Sequence, residues 1–121
     1  MMTYEEFRES MESFRRSADI EAAAQKDPQL VLDELNALYN KFDASERVMA
    51  DRVLVEWSLS TDEGKRFDAL VIIDEFCVSE AVPALLELAN RLETSTEPGA
   101  PYELQLVNRI ANRLKSNKTS S

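Results

Sequence analysis

The carboxylates come first, because this chain has few other groups that do chemistry. Glu5, Glu9 and Glu12 stand at i, i+4 and i+7, which puts three acids on one face of a helix. Such a row suits a di-metal carboxylate site. That chemistry draws its remaining ligands from Glu-x-x-His pairs on other helices, and the chain has no histidine. A solvated helix face is the plainer reading. Asp74 and Glu75 flank the most apolar stretch, but adjacent helical positions point about 100° apart and form no catalytic dyad. Without histidine the commonest general base is missing. Cys77 stands alone, so it has no disulfide or zinc partner, and it reads as an inert buried thiol. Two glycines in 121 residues leave no phosphate-cradling loop. The chain therefore reads as no enzyme, with no metal and no cofactor. A carboxylate-bound metal is the weakest of the expectations.

What positions these groups is a set of helices. Ala69-Leu-Val-Ile-Ile73 is the longest apolar run. Phe67, Leu70, Ile73 and Phe76 follow helical spacing, as do Val82, Leu85, Leu88, Ala89 and Leu92. Val71 and Ile72 widen the first stripe, which predicts a central helix covered on more than one side. Ser79 or Glu80 is the expected cap between the two, and Pro83 fits the first turn of the second helix.

The rest follows from capping signals. Thr3 with Glu6 is a capping box opening a helix over 3–25, whose stripe is Tyr4, Phe7, Met11, Phe14 and Ala18. Asp27 as cap and Pro28 at the first position open a second helix ending near Lys41, with Leu30, Val31, Leu35, Leu38, Tyr39 and Phe42 on its buried side. Asp43 with Glu46 starts a third, over Ala44–Leu59, with Val48 or Met49, Val53, Leu54 and Trp57 inward. Ser60 with Glu63 leads into the central helix. A loop over 94–101 precedes a last helix from Pro101, carrying Leu104, Val107, Ile110, Ala111 and Leu114 on one face and Arg109, Arg113 and Lys115 near its end. Residues 116–121 read as a frayed tail.

The string Ala69-Leu70…Phe76…Glu80-Ala81-Val82-Pro83-Ala84-Leu85-Leu86-Glu87-Leu88 resembles a single HEAT-type repeat. It departs from that pattern at the turn, where Cys77-Val78 replaces a small or glycine-containing link. Residues 49–56 weakly echo 66–73. The expected fold is all-α: about six antiparallel helices stacked as HEAT-like hairpins, with a compact helical bundle as the alternative. Residues 1–115 read as one domain.

Charge points to a partner. The net charge is −9, and no acid follows Glu103, so residues 1–103 hold 10 bases against 23 acids, a net of −13. Such a body repels phosphate backbones and argues against nucleic acid. A basic protein is its natural complement. No stretch predicts a membrane span and the N-terminus has no secretory pattern, so a cytoplasmic protein is expected. The small size, the acidity, the lack of catalytic parts and the texture of R-F-D-A-L…A-V-P-A-L-x-E-L-A…P-G-A-P-Y-E…V-N-R-I are similar to immunity proteins of bacterial contact-dependent and other polymorphic toxin systems. That resemblance implies binding and neutralisation of a cognate, basic, nuclease-type toxin domain. The expected contact set is Glu56, Asp62, Glu63, Asp68, Asp74 and Glu75, with Trp57 as anchor or, more simply, as core. A small HEAT-like scaffold or regulatory protein, working as a homodimer through a face more apolar than acidic, is the alternative.

Overall fold

The structure is a computed structural model that describes residues 2–119, with side chains described as far as Ser116. The chain is all-α: 83% of the described residues are helical, and none of them forms a strand. Its helices are α1 (Tyr4–Gln25), α2 (Leu30–Lys41), α3 (Ala44–Ser58), α4 (Glu63–Phe76), α5 (Val82–Glu93) and α6 (Ala100–Thr119), with a 3-10 turn over Ser79–Ala81. The last helix thus runs through 116–119, where the sequence suggests fraying. Arg109 and Arg113 therefore lie further inside α6 than the sequence suggests, and Lys115 lies one turn before its end.

Backbone contacts group the chain into two compact units, Met1–Val53 and Leu54–Ser121, where the sequence suggests one domain over 1–115. The first unit holds α1, α2 and most of α3. The Thr3–Glu6 capping box is formed in full, with each side chain taking the other residue's amide. The Asp43–Glu46 box is formed in the same way at the start of α3. Each box satisfies amides that the first helical turn leaves without intrahelical partners. Phe7, Met11, Ala18, Val31, Leu35 and Tyr39 are buried, and the Phe7 and Phe42 rings meet at 5.1 Å between centroids. Tyr39 donates its hydroxyl to Asp51 Oδ1 at 2.6 Å, and the Arg47 guanidinium lies over its ring.

Two boundaries differ from the sequence reading. Asp27 does not cap α2. Its carboxylate accepts the Gln29 amide within the preceding turn, and the helix begins at Leu30. Ser60 does not cap α4 either. Its hydroxyl accepts the Asp62 amide, and the Asp62 carboxylate in turn accepts the Lys65 amide. Because Ser60 is held in that turn, the cap falls two residues later. Of the two candidates for the α3 face, Val48 points outward, 71% exposed.

α1 and α4 end alike. Lys26 and Cys77 adopt left-handed backbone, with φ of 56° and 53°. In each case the next amide reaches back five residues, Asp27 to Ala22 and Val78 to Ile73. This six-to-one bond closes the helix in a Schellman motif, which normally uses glycine at the left-handed position.

In the second unit, Leu54, Trp57, Leu70, Ile72, Ile73, Leu85, Ile110 and Leu114 are fully buried. The buried face of α4 is Ala69, Leu70, Ile72 and Ile73, so the stripe read as Phe67–Leu70–Ile73–Phe76 is turned. Phe67 is 48% exposed. The closest helix pairings are α5 with α6 here and α1 with α2 in the first unit. α4 approaches α6 more closely than it approaches α5. The tight hairpin expected between residues 66–77 and 80–92 is therefore not the main pairing. The left-handed Cys77 and the 3-10 turn carry the chain off before α5 begins. Neither Ser79 nor Glu80 caps α5, which opens at Val82 with Pro83 in its first turn and no side-chain cap.

Candidate functional site

Two ion pairs set α4 beside α6. Near the start of both helices, the Arg66 guanidinium grips Glu103 with Nε and with Nη2, the latter at 2.8 Å from Oε1. Further along, Arg113 pairs with the Asp74 carboxylate. The partners keep their order along the chain, so α4 and α6 run in the same direction. The same arginines close backbone ends. Arg113 Nη1 donates to Asp74 O at 2.8 Å, among the last carbonyls of α4, and its Nη2 lies 3.4 Å from Cys77 Sγ. Arg66 Nη1 donates to Ser60 O at 3.0 Å, and Arg91 Nη1 donates to Leu59 O at 3.2 Å. These bonds pin the corner between α3 and α4. They also bring the end of α5 back to the start of α4. The Glu103 carboxylate raises the Arg66 pKa above its ordinary value, and the Asp74 carboxylate does the same for Arg113. Both guanidinium groups stay charged at any ordinary pH.

The start of this seam opens into a groove of about 900 Å³. Glu63, Gly64 and Phe67 form the α4 wall. Tyr102, Glu103, Gln105, Leu106 and Arg109 form the α6 wall, and Gly99, just before α6, also lines the groove. Its surface is mainly apolar. Tyr102 is 84% exposed, and a methyl group added at Gly99 would meet nothing within 4 Å. A second hollow of about 540 Å³ lies across Glu103, around Ser60, Arg66, Arg91 and Glu97, and is more polar. The first unit has a smaller hollow of about 310 Å³, lined by Met2, Met11, Met49, Phe7, Phe14 and Phe42 and edged by Asp43 and Glu46.

The sequence-predicted contact residues all lie in the second unit, but they do not form one surface. Glu56, Asp62, Glu63 and Glu75 are exposed. Trp57 is buried, 2% exposed, with the Lys65 ammonium 5.9 Å from its ring centroid, so it belongs to the core. Asp68 is 8% exposed and takes part in a polar contact within the chain. A partner meeting the surface does not meet these two side chains, and both leave the contact set. Asp74 is partly covered and engaged by Arg113. Among the described residues no three His, Cys, Asp or Glu side chains gather as a metal would require. Among the described residues no helix is long and apolar enough to cross a membrane.

The groove itself was not legible as a site. Tyr102 reads in the sequence only as a helix start, Arg109 only as a dipole complement, and Phe67 as core. The one available signal was angular. At about 100° per residue, Phe67 sits about 140° from the centre of the Ala69–Leu70–Ile72–Ile73 face. The fold and this site together define a class, an all-α protein with an aromatic-flanked groove and many surface carboxylates. Comparison with protein-family models, curated proteins and solved structures gives no match.

Proposed function

We propose that this chain is a non-enzymatic protein-binding module, an immunity protein that acts in the cytoplasm by binding and neutralising a cognate basic, nuclease-type toxin domain. One observation carries the reading. Glu56, Asp62, Glu63 and Glu75 are exposed, and the second unit they belong to carries 11 acids against 7 bases. In the first unit the capping carboxylates Glu6 and Asp43 have pKa values lowered by the amides they accept, which favours their charged forms.

The mechanism is occlusion. A nuclease carries basic residues where it holds phosphate. A surface of carboxylates presents a similar charge, speeds encounter and covers that site. Co-expression with a basic toxin domain encoded beside this gene, followed by co-purification and a growth-protection assay, tests the reading. Capture and protection are expected, with an association rate that falls as salt rises. The Glu56→Lys/Glu75→Lys double variant should slow association by about tenfold at low salt. Neither capture nor protection, with a folded chain, refutes it.

A further inference from the structure

We infer that the groove between α4 and α6 is a contact between two copies of this chain, related by a two-fold axis. The inference does not rest on the toxin reading. It begins from the exposed aromatic rings. Tyr102 (84%) and Phe67 (48%) are among the largest apolar side chains left in water, and both line the same groove, with Leu106 beside Tyr102 on the α6 wall. Aromatic groups beside an apolar hollow mark surfaces that another protein covers.

The charges select the occupant. Glu63 stands on the α4 wall and Arg109 on the α6 wall. Arg109 makes no ion pair among the described residues. A two-fold contact requires a patch complementary to itself: if one position meets another, the reverse meeting occurs as well. An acid and a base on opposite walls meet that requirement. Rotation about an axis through the groove sets Glu63 against Arg109 of the partner subunit twice over and brings the apolar walls together at the centre. Gly64 leaves the α4 wall without a side chain beside Glu63, and Gly99 has open space around it.

A foreign basic partner fits this groove less well. Beyond Glu103, the α6 wall falls in residues 104–121, which hold four bases and no acid. That wall would repel the partner that the remaining surface attracts. Net charge works against any self-association at −9 per copy, so the contact depends on these opposed groups and on the apolar centre.

Light scattering or sedimentation on the full chain tests the inference. The expected result is a mass that approaches twice 13.8 kDa as concentration rises. Glu63→Arg and Arg109→Glu should each weaken the dimer at least about tenfold, because each sets like charges together twice. An equimolar mixture of the two variants should restore it, since every contact then pairs an acid with a base. Tyr102→Lys removes the dimer while leaving the fold intact, because that side chain is almost wholly in water, and circular dichroism checks the fold. A monomer at every concentration overturns the inference. So does a dimer that these three folded variants leave unchanged, or a mixture that stays monomeric. Capture of a toxin domain by a monomeric chain would leave the toxin reading standing and remove this one.

Discussion

Breaking the pair between Arg66 and Glu103 should cost about 2 kcal/mol, and the figure follows from exposure and geometry. Fully exposed ion pairs contribute about 0.2–1 kcal/mol, whereas removing one partner of a buried pair costs about 3–5 kcal/mol. The side chains here are 16% and 17% exposed, toward the buried end of that range. Both carboxylate oxygens accept guanidinium N–H groups, the geometry that makes such pairs strong. Glu103→Leu should therefore cost about 2 kcal/mol, leaving a guanidinium short of its partner. Arg66→Met should cost about 1 kcal/mol more, because Ser60 O also loses its donor. The double variant places two apolar groups together, so it should lose less than the sum of the single variants by at least about 1 kcal/mol.

The assay is urea unfolding followed by circular dichroism, with thermal melts alongside. For a chain of this length 2 kcal/mol corresponds to about 8 °C in Tm. Arg91 and Glu87 form the control. That pair stands at i,i+4 with side chains 55% and 56% exposed, and breaking it should cost no more than about 0.5 kcal/mol. Losses that are small and strictly additive at Arg66 and Glu103, or a loss at Glu87 equal to that at Glu103, would refute the exposure argument.

Three further outcomes follow from local structure. Lys26 holds a left-handed backbone at the end of α1, so Lys26→Gly should raise stability by about 1 kcal/mol and Lys26→Ala should not; unfolding curves decide, and a destabilised glycine variant would sink the Schellman account. Glu6 and Asp43 have folded-state pKa values below their ordinary 4.5 and 3.8, so each contributes stability above those values that is lost as pH falls through the lower folded value. Thr3→Ala and Ser45→Ala remove hydroxyls that help set these shifts, and should flatten the acid limb of a pH titration of stability below about pH 5. Trp57 is the only tryptophan and is 2% exposed, so its fluorescence should be blue-shifted and resist acrylamide, and Trp57→Ala should cost about 3–5 kcal/mol; easy quenching in the folded chain would return Trp57 to the surface.

How much of this was legible in the sequence depended on the range of the forces involved. Capping boxes act over three residues, and those at Thr3 and Asp43 were readable and form as read. The α5 and α6 stripes were legible for the same local reason, with Leu85, Leu88, Val107 and Ile110 all buried. Competition between neighbours was harder to resolve. Ser60 and Asp62 are both good caps, and the choice fell to Asp62 once Ser60 was held by its own turn and by Arg66. The burial of Asp68 and the exposure of Phe67 needed knowledge of which helices lie on either side of α4. The pairs Arg66–Glu103 and Arg113–Asp74 span 37 and 39 residues, and nothing local announces them. The groove opens between the two helices these pairs join, so the site was hidden where the caps were plain.

The acid surplus divides almost evenly, and that constrains where a basic partner can be selected. Residues 1–53 hold 12 acids and 7 bases, and residues 54–121 hold 11 acids and 7 bases. Net charge alone therefore favours neither unit, and long-range steering brings a basic protein toward both. Capping does not lessen that attraction, because an amide that holds a carboxylate ionised leaves its charge in place. Only pairing with a base removes charge locally, as at Asp74 and Glu103. The face that finally binds must be chosen at short range, by shape and by where arginines are absent. Around the α4–α6 groove an arginine stands on the wall, and in the proposed dimer a second copy of the chain would satisfy it. Around Glu56 and Glu75, neither of which lines that groove, charge reversal should slow a basic partner while leaving any dimer intact. A charge reversal there that disrupted self-association but left toxin association unaffected would exchange the two faces.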